Sequence, residues 1–282
     1  MNDYIKSGEI AAKAREFGKK LCKENTLILE IAEKIEAKML ELGGKPAFPV
    51  DVSINHVAAH ATPLENDKTK LKKGDLVKLD IGVHVNGAVT DTACTVEVST
   101  NKCNNLIKAS ENALNEALKI VKPGVKVREI GKVIHDTIVK AGFSPIRNLS
   151  GHGLDKFEIH TKPTIPNYDN NDETKLEKDM IIAIEPFATT GIGEIIEGKP
   201  SNVYALIEKK PVRLNDARKI LDFIEKEYKT LPFAARWLNK KFKNANFVLR
   251  VLEKEGIIKQ YSQLPEKAKG NVSQAEHSLI VG

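Results

Sequence analysis

Apolar side chains recur at helical spacing in three long stretches of the chain. Residues 6–42 show this spacing up to a pair of glycines, and residues 104–141 show it with an interruption at Pro123. The spacing returns over about residues 216–256, where Phe247 is one of the expected core residues. Because one face of a packed helix is apolar every three to four residues, these stretches predict helices.

Shorter apolar runs between the helical stretches predict strands. Two runs contain Asp80 and Asp91 and are joined by Asn-Gly at residues 86–87, which suits a hairpin turn. The Gly-His-Gly segment at residues 151–153 predicts a loop in which the backbone can approach a neighbour closely. A second hairpin is predicted near residues 257–269. Helices and strands together predict an α+β fold.

One pattern occurs twice and ends each time in an acid. Residues 71–80 and residues 176–185 both consist of a polar turn followed by a short apolar strand, and Asp80 falls at the position of Glu185. The apolar pattern places both carboxylates at buried positions. An isolated buried carboxylate is costly unless its charge is compensated. Two acids at equivalent places in a duplicated unit therefore suggest a shared cation.

A second pair of acids extends the repeat. Asp91 follows Asp80 by 11 residues and lies at the start of an apolar stretch. Glu276 has a similar place in the second copy but follows Glu185 by 91 residues. The second copy therefore carries 80 additional residues between its two acids.

The four acids and one histidine form a candidate metal site. His152 is the best nitrogen candidate because it lies between two glycines. Carboxylates with an imidazole suit a pair of divalent first-row metal ions, with two carboxylates shared by both ions. Each residue has an ordinary alternative, since a lone histidine is usually a surface or core residue and a strand acid can face water. The combination of matched acids favours the metal site.

Composition limits the kind of protein. The chain has 282 residues, of which 41% are hydrophobic, so it can bury a large core in one or two domains. Its three cysteines fit neither a disulfide framework nor a zinc-ligand spacing. No signal peptide and no apolar run long enough to cross a membrane are apparent. We expect a cytoplasmic protein with no membrane contact.

Charge is distributed unevenly along the chain. The formal net charge is +6. Residues 209–269 contain 16 Lys and Arg against 7 Asp and Glu, a local balance of +9 that leaves −3 for the rest. This basic segment falls inside the 80 additional residues of the second copy. It is either a surface that faces nucleic acid or a solvated helix face.

Five motifs, spread over most of the chain, match one known family. The motifs are residues 75–91, Ala58-Ala59-His60-Ala61-Thr62-Pro63, Asn148-Leu149-Ser150-Gly151-His152-Gly153, Ile184-Glu185-Pro186-Phe187 and Ser273-Gln274-Ala275-Glu276-His277. In content and order they resemble the motifs of the type 2 methionine aminopeptidases, in the archaeal form of that family. The resemblance covers essentially the whole chain.

The resemblance implies a particular α+β architecture. This is the pita-bread fold, a duplicated pseudo-twofold arrangement, and it implies a single catalytic domain over residues 1–282. The duplicated halves would be roughly residues 1–105 and residues 106–282. Residues 209–269 would form an inserted basic helical subdomain, which separates type 2 from type 1 enzymes. The repeated acids are what such symmetry leaves in a sequence.

The resemblance also implies a role for each candidate residue. Two divalent ions, of cobalt, manganese, iron or zinc, would be held by Asp80, Asp91, His152, Glu185 and Glu276. His60 and His160 would contact the scissile peptide without binding metal, and Glu185 would also transfer protons. The methionine pocket would be lined by Phe48, Ile159 and Tyr261.

The implied activity is hydrolytic removal of the N-terminal initiator methionine from nascent proteins, with a preference for a small second residue. The partners would be the N-terminal peptides of nascent chains, and the protein would be a monomer without sequence-specific nucleic-acid binding. Because such an enzyme meets its substrates at the ribosome, we expect residues 209–269 to be attracted to ribosomal RNA.

Two other functions on the same fold are compatible with parts of the sequence. Non-catalytic relatives associated with RNA or ribosomes are expected to lose one or more of the five ligands, whereas this chain has all five. A proline-specific dipeptidase would accept the spacing of Asp80 and Asp91. The whole-chain pattern and the insertion argue against that dipeptidase.

Overall fold

One order of elements, two helices followed by short strands, occurs twice in the computed structural model, which describes residues 1–282. In the first half the elements are α1 (Asn2–Leu21), α2 (Ile28–Glu41), β1 (Lys45–Pro46), β2 (Asp51–Ile54), β3 (Val57–Ala59), β4 (Leu76–Val85) and β5 (Ala88–Glu97).

The second half repeats this order and then contains further elements before its last two strands. Its first elements are α3 (Asn104–Ile120), α4 (Val127–Lys140), β6 (Ser144–Pro145), β7 (Ser150–Asp155), β8 (Glu158–Pro166), β9 (Ile181–Ile184), β10 (Phe187–Thr189) and β11 (Pro200–Leu206). There follow α5 (Asn215–Glu227), β12 (Phe233–Ala234), α6 (Ala235–Asn239), α7 (Ala245–Lys254), β13 (Ile258–Ser262) and β14 (Leu264–Pro265). The chain ends with β15 (Val272–Gln274) and β16 (His277–Ile280).

The helical stretch expected over residues 6–42 is two helices, because the chain turns between α1 and α2. Asn25 in this turn has a φ of +67°, in the left-handed region that a right-handed helix cannot contain. Its N–H donates to the carbonyl of Leu71 (2.8 Å), and the N–H of Leu71 donates to the carbonyl of Thr26 (2.9 Å). The break predicted at Pro123 is confirmed, since it separates α3 from α4.

The predicted hairpin around Asn86 is confirmed and forms the centre of the first sheet. Strands β4 and β5 pair antiparallel along their whole length, and β1 and β2 both pair with the other edge of β4. Asn86 has a φ of +51° and Gly87 a φ of +91°. Positive φ at both central residues matches the twist of the flanking strands, and Asn-Gly tolerates it best.

The second sheet has the strand order β16-β9-β7-β8 and contains the Gly-His-Gly segment. The prediction of a loop for residues 151–153 was wrong, because they lie inside β7 and pair with strands on both sides. The predicted close approach is present. A Cβ on Gly151 would lie 2.2 Å from the carbonyl oxygen of Ala183, and one on Gly153 would lie 2.3 Å from that of Lys162. Only glycine fits at these two positions.

The strands after residue 256 do not form the predicted hairpin. Strand β13 pairs with β11, and β14 pairs with β3 of the first half. The reason is that each strand finds an unpaired edge elsewhere in the molecule, which a local sequence pattern does not reveal. Strand β15 likewise pairs with β10, whose other edge pairs with β6.

Three large apolar clusters stabilise the molecule. The clusters under α1–α2 and under α3–α4 each contain 18 buried residues. A third cluster of 14 buried residues lies between α5, α6 and α7, with Ile220 and Leu249 among its members. The expectation that Phe247 is a core residue was wrong, because it is 54% exposed on the outer face of α7. Among the helices, none is both long and apolar enough to cross a membrane.

Candidate metal centre

Asp80 and Asp91 lie on one face of the β4–β5 hairpin. Ala93 is directly opposite Asp80, and Asp91 is two residues before Ala93 on the same strand. Because alternate residues of a strand point to the same face, the two carboxylates project from the same side of the sheet. The hairpin therefore brings the first pair of acids together.

Glu185 and Glu276 lie at adjacent strand ends of the second sheet. Glu185 follows β9 and Glu276 precedes β16, in which His277 is directly opposite Ile184. The N–H of Glu276 donates to the carbonyl of Ala93 in the first sheet (3.1 Å). This bond joins the two halves where their acids meet, so the acids of both repeats face one another.

His152 contributes a neutral imidazole to the same cluster. Its Nε2 lies 3.7 Å from Oε1 of Glu185 and 3.9 Å from Oδ2 of Asp91. Its Nδ1 lies 3.2 Å from the carbonyl oxygen of Gly153, which can only accept, so Nδ1 carries the proton. Burial lowers the pKa of His152 to about 4, so the ring is neutral at pH 7. Nε2 is thereby left with a lone pair directed at the carboxylates, the usual arrangement of a metal-bound histidine.

The donor set fits a divalent cation. Oδ1 of Asp80, Oδ1 of Asp91 and Oε1 of Glu276 are buried and have no hydrogen-bond partner. Asp91, His152 and Glu276 each present a ligand atom, and these atoms lie within 4.8 Å of one another. Buried polar atoms are normally paired, and an unpaired carboxylate oxygen is especially costly. Divalent cations held here would give these carboxylate oxygens the partners that they lack.

Burial and then mutual repulsion raise the pKa values of these carboxyl groups. Burial raises the pKa of Asp91 well above its usual range, and the charges of Asp80 and Glu185 raise it further. Burial and Asp80 raise the pKa of Glu185, and burial followed by Asp91 raises that of Glu276. A bound cation would remove this repulsion, because it interacts favourably with the ionised form of every carboxylate.

Gln274 lies in the middle of the acids, and the sequence argument did not assign it a role. Its Nε2 donates to Oδ2 of Asp80 at 3.0 Å and lies 3.4 Å from carboxylate oxygens of both Glu185 and Glu276. It is 1% exposed. Its position two residues before Glu276 on an extended segment could have indicated that both side chains share a face.

The acids form the floor of a cleft of about 470 Å³. Of the residues predicted to form the site, those that line the cleft are Phe48, His60, Asp80, Asp91, His152, Ile159, His160, Glu185 and Tyr261. Glu276 lies beneath the floor and is 1% exposed. The inserted segment contributes Pro232 and Tyr261 to the wall, so both halves and the insertion enclose the cleft.

Two further histidines in the cleft are uncharged. The rings of His152 and His160 are perpendicular, with centroids 4.5 Å apart. Burial lowers the pKa of His160 to about 3, and the neighbouring histidines and Lys259 contribute to the shift. Burial also lowers the pKa of His60, whose Nδ1 donates to the carbonyl oxygen of Ser262 (3.2 Å).

Asp51 is a fifth acid of the site and was not among the residues predicted from the sequence. It lines the cleft, is 5% exposed, and lies directly opposite Asp80 across β2 and β4. Burial and the charge of Asp80 raise its pKa well above the usual range. The signal was available, because Asp51 stands between Val50 and Val52 in an apolar run, as Asp80 stands in its own strand.

The site defines a class of hydrolase, and comparison with known proteins agrees. Residues 2–219 match the model of metallopeptidase family M24. The chain therefore belongs to metallopeptidase family M24, whose members bind divalent metal. It is 46% identical to the methionine aminopeptidase of Pyrococcus abyssi (strain GE5 / Orsay) over 100% of this chain and 96% of that protein. It is 45% identical to that of Archaeoglobus fulgidus, over 98% of this chain and 94% of that protein. Within the family, the chain groups with the archaeal methionine aminopeptidases.

Solved structures agree on the fold. A thermophilic Arx1 superposes with a TM-score of 0.86 at 19% sequence identity, over 99% of this chain and 87% of that one. The methionine aminopeptidase of Rickettsia prowazekii superposes with a TM-score of 0.71 at 23% identity, over 99% of this chain and 93% of that one. The predicted pita-bread α+β fold is confirmed.

Proposed function

We propose that this chain is a metal-dependent aminopeptidase that hydrolytically removes the N-terminal methionine from proteins, with a preference for a small second residue. One observation carries the proposal. Three carboxylates from both repeats have buried, unpartnered oxygens, at or beneath the floor of a cleft with an apolar wall. Two of them, Asp91 and Glu276, lie beside the neutral imidazole of His152. The archaeal methionine aminopeptidases that resemble the whole chain support the same activity.

In our proposal two divalent ions, of cobalt, manganese, iron or zinc, are held by Asp80, Asp91, His152, Glu185 and Glu276. Asp80, Asp91 and Glu276 would each offer one buried, unpartnered carboxylate oxygen to these ions. Paired divalent ions supply Lewis-acid polarisation of a carbonyl and a more acidic water near neutral pH.

Glu185 is the proposed proton carrier. It lies at the floor of the cleft, and its carboxylate is 3.7 Å from Nε2 of His152. A carboxylate at this place can accept a proton from a neighbouring water and release it again. In the proposed reaction it takes a proton from the attacking water and gives that proton to the amine that leaves.

The two neutral histidines are proposed to bind the scissile peptide in different ways. His60 donates from Nδ1 to the carbonyl of Ser262, which leaves Nε2 as an acceptor for a peptide N–H. The ring of His160 has no hydrogen bond within the protein and can donate to the oxygen on which negative charge develops. Neither ring carries a charge that would compete with the metal ions.

The apolar wall of the cleft is the proposed methionine pocket. Phe48 and Ile159 belong to one apolar cluster that also contains Leu231 from the insertion. Tyr261 contacts the ring of His60, with centroids 5.5 Å apart. Such a wall favours a long apolar side chain and discriminates by about 1–3 kcal/mol per methylene.

We also propose that residues 209–269 act as a basic subdomain attracted to ribosomal RNA, which would bring the cleft to nascent N-termini. Several of its cations are neutralised by neighbours, for example Lys240 by Glu33 and Lys267 by Glu194. On the exposed face of α7 and just before it, Lys243, Arg250 and Lys254 have no ion-pair partner, and Phe247 is exposed among them. This α7 face is the most suitable part of the subdomain for phosphate contacts.

Cleavage of defined peptides tests the proposed activity. Protein stripped of metal is given each divalent ion in turn and assayed on Met-Ala-Ser, Leu-Ala-Ser and the dipeptide Ala-Pro. We expect release of methionine from the first peptide only, and only after an ion is added. Preferential cleavage of Ala-Pro would instead support a proline dipeptidase, and no cleavage with any ion would support a non-catalytic binding protein.

A further inference from the structure

His60 has an unusual backbone conformation for a residue with a side chain. Its φ is +60°, in the left-handed region, which is sterically unfavourable for residues other than glycine. Such conformations persist where the surroundings hold them, and they occur preferentially at functional sites. The residue follows β3 and its ring lines the cleft. Something must therefore hold the backbone of His60 in this conformation.

A short hydrogen bond from the backbone N–H of His60 reaches Asp51, the fifth acid of the site. The N–H of His60 donates to Oδ2 of Asp51 at 2.6 Å. A hydrogen bond from a backbone N–H to a carboxylate is stronger than one between neutral groups. Asp51 lies in β2 and is held there by the pairing of β2 with β4, so the acceptor is fixed by the sheet.

The ring of His60 has a separate anchor. Its Nδ1 donates to the carbonyl of Ser262 in β13, which belongs to the inserted segment. The carbonyl fixes the rotation of the ring and its tautomer, whereas Asp51 fixes the point at which the side chain leaves the backbone. The direction of Nε2 therefore depends on both contacts.

We propose that Asp51 is a positioning residue that holds the backbone of His60 and so aims its imidazole at the scissile peptide. The inference rests on the role of His60 in the proposed function. The side chain of Asp51 accepts only this one hydrogen bond, and the residue lines the cleft directly opposite Asp80. A competing role is therefore binding of a cation, such as the substrate's ammonium group, by the charge of Asp51.

Two variants separate the hydrogen bond from the charge. Asp51→Asn keeps an oxygen that accepts the N–H of His60 but removes the negative charge of the side chain. The NH2 group of the new amide can donate to Asp80. Asp51→Ala removes the acceptor. We expect Asp51→Ala to lower kcat for Met-Ala-Ser about ten-fold or more, with a smaller change in KM, and Asp51→Asn to retain at least about a third of the activity. Equal losses in both variants would overturn the positioning role and favour cation binding.

A double-mutant cycle tests whether Asp51 acts through His60. If it does, Asp51→Ala has little further effect on kcat in a chain that already carries His60→Ala. Full additivity of the two losses would overturn the proposal. If His60→Ala alone leaves kcat unchanged, the role of His60 in the proposed function fails, and this outcome is distinct from a failure of the contact with Asp51.

Amide hydrogen exchange gives a readout that does not depend on catalysis. In the as-purified full chain, we expect the amide of His60 to exchange about ten-fold or more faster in Asp51→Ala than in the wild type. The same amide in Asp51→Asn should exchange within about three-fold of the wild type, and global stability is measured in parallel by urea unfolding. Unchanged exchange of this amide in Asp51→Ala would show that Asp51 does not hold it.

Discussion

Arg236 and Glu36 form a two-point ion pair that joins α6 of the inserted segment to α2 of the first half. Nη1 of Arg236 lies 2.7 Å from Oε2 of Glu36, and Nη2 lies 2.5 Å from Oε1. The indole N–H of Trp237 also donates to Glu36 (2.9 Å), as does the backbone N–H of Val50 (3.2 Å). Val50 is adjacent in sequence to residues that line the cleft. The carboxylate of Glu36 therefore contacts both the inserted segment and the part of the cleft wall that belongs to the first half.

Removal of one partner of this pair should destabilise the protein strongly. We expect Arg236→Met to lower the free energy of unfolding by about 3–5 kcal/mol, because Glu36 would be left buried without its countercharge. Urea unfolding measures the loss. Lys240→Met is the matched control, since Lys240 pairs with Glu33 at a solvent-exposed position and should change stability by less than about 1 kcal/mol. Similar losses in both variants would contradict the interpretation.

Glu276→Gln should lower both turnover and metal content. The substitution removes the charge of a carboxylate whose Oε1 is buried and unpartnered. Changes outside the ligand shell of metal sites already cost about 10–100-fold, so we expect a loss of more than about 100-fold in the cleavage of Met-Ala-Ser. Elemental analysis measures metal per chain. Glu111→Gln, at an exposed position on α3, serves as the control. Wild-type turnover with unchanged metal content would exclude Glu276 as a ligand.

His160→Ala should separate catalysis from metal binding. The ring of His160 faces that of His152, with centroids 4.5 Å apart, and forms no hydrogen bond or ion pair with a carboxylate. We expect kcat to fall about 100-fold, as is typical when one donor to a developing oxyanion is lost. Metal content should stay as in the wild type. A variant that loses one ion per chain would place His160 among the ligands instead.

The stability of the metal-free protein should depend on pH through its buried acids. The pKa values of Asp91, Glu185 and Glu276 are raised in the folded protein. The folded state then binds more protons than the unfolded state, so these groups lower the free energy of unfolding as the pH rises from about 4 through the raised pKa values. The metal-free protein should therefore lose stability towards pH 8, and added divalent ion should restore it.

Comparison of the wild type with Glu276→Gln isolates the contribution of the buried acids to this pH dependence of stability. The lowered pKa values of His152 and His160 act in the opposite direction, but both proteins contain these histidines. We expect the fall in unfolding free energy between pH 5 and pH 8 to be smaller in Glu276→Gln by about 1 kcal/mol or more, since one pKa unit corresponds to about 1.4 kcal/mol. Urea unfolding measures the free energy at both pH values. An equal fall in the wild type and in Glu276→Gln would argue against repulsion among the buried carboxylates.

Charge reversal on the α7 face should weaken attraction to ribosomes. Replacing Lys243, Arg250 and Lys254 with Glu should reduce co-sedimentation with ribosomes at low salt, because fewer counterions are released from phosphates. Cleavage of free Met-Ala-Ser should be unaffected. The matched control reverses three exposed lysines of the first half at positions 13, 20 and 23. Equal co-sedimentation of both variants and the wild type would favour a merely solvated helix face.

Local patterns predicted the elements whose contacts are also local. The Asn86 hairpin and the break at Pro123 follow from the backbone preferences of a few adjacent residues, so they could be identified without tertiary contacts. The turn at Asn25 and the separate partners of β13 and β14 could not. In each case the backbone bonds to a segment distant in sequence, such as Leu71 for the turn and β11 for β13.

The sequence by itself determined which acids are costly to bury, because an acid inside an apolar strand is visible as a break in the strand's pattern. Such a break in the apolar pattern identifies Asp80 and Glu185 as candidate site residues. The same kind of break occurs at Asp51. The tertiary structure alone decided what these groups meet. Strand register places Asp51 beside Asp80 and under the backbone of His60, and the packing of the two halves turns Gln274 towards three carboxylates. Such distances depend on how sheets pack, and no pattern of neighbouring residues encodes them directly.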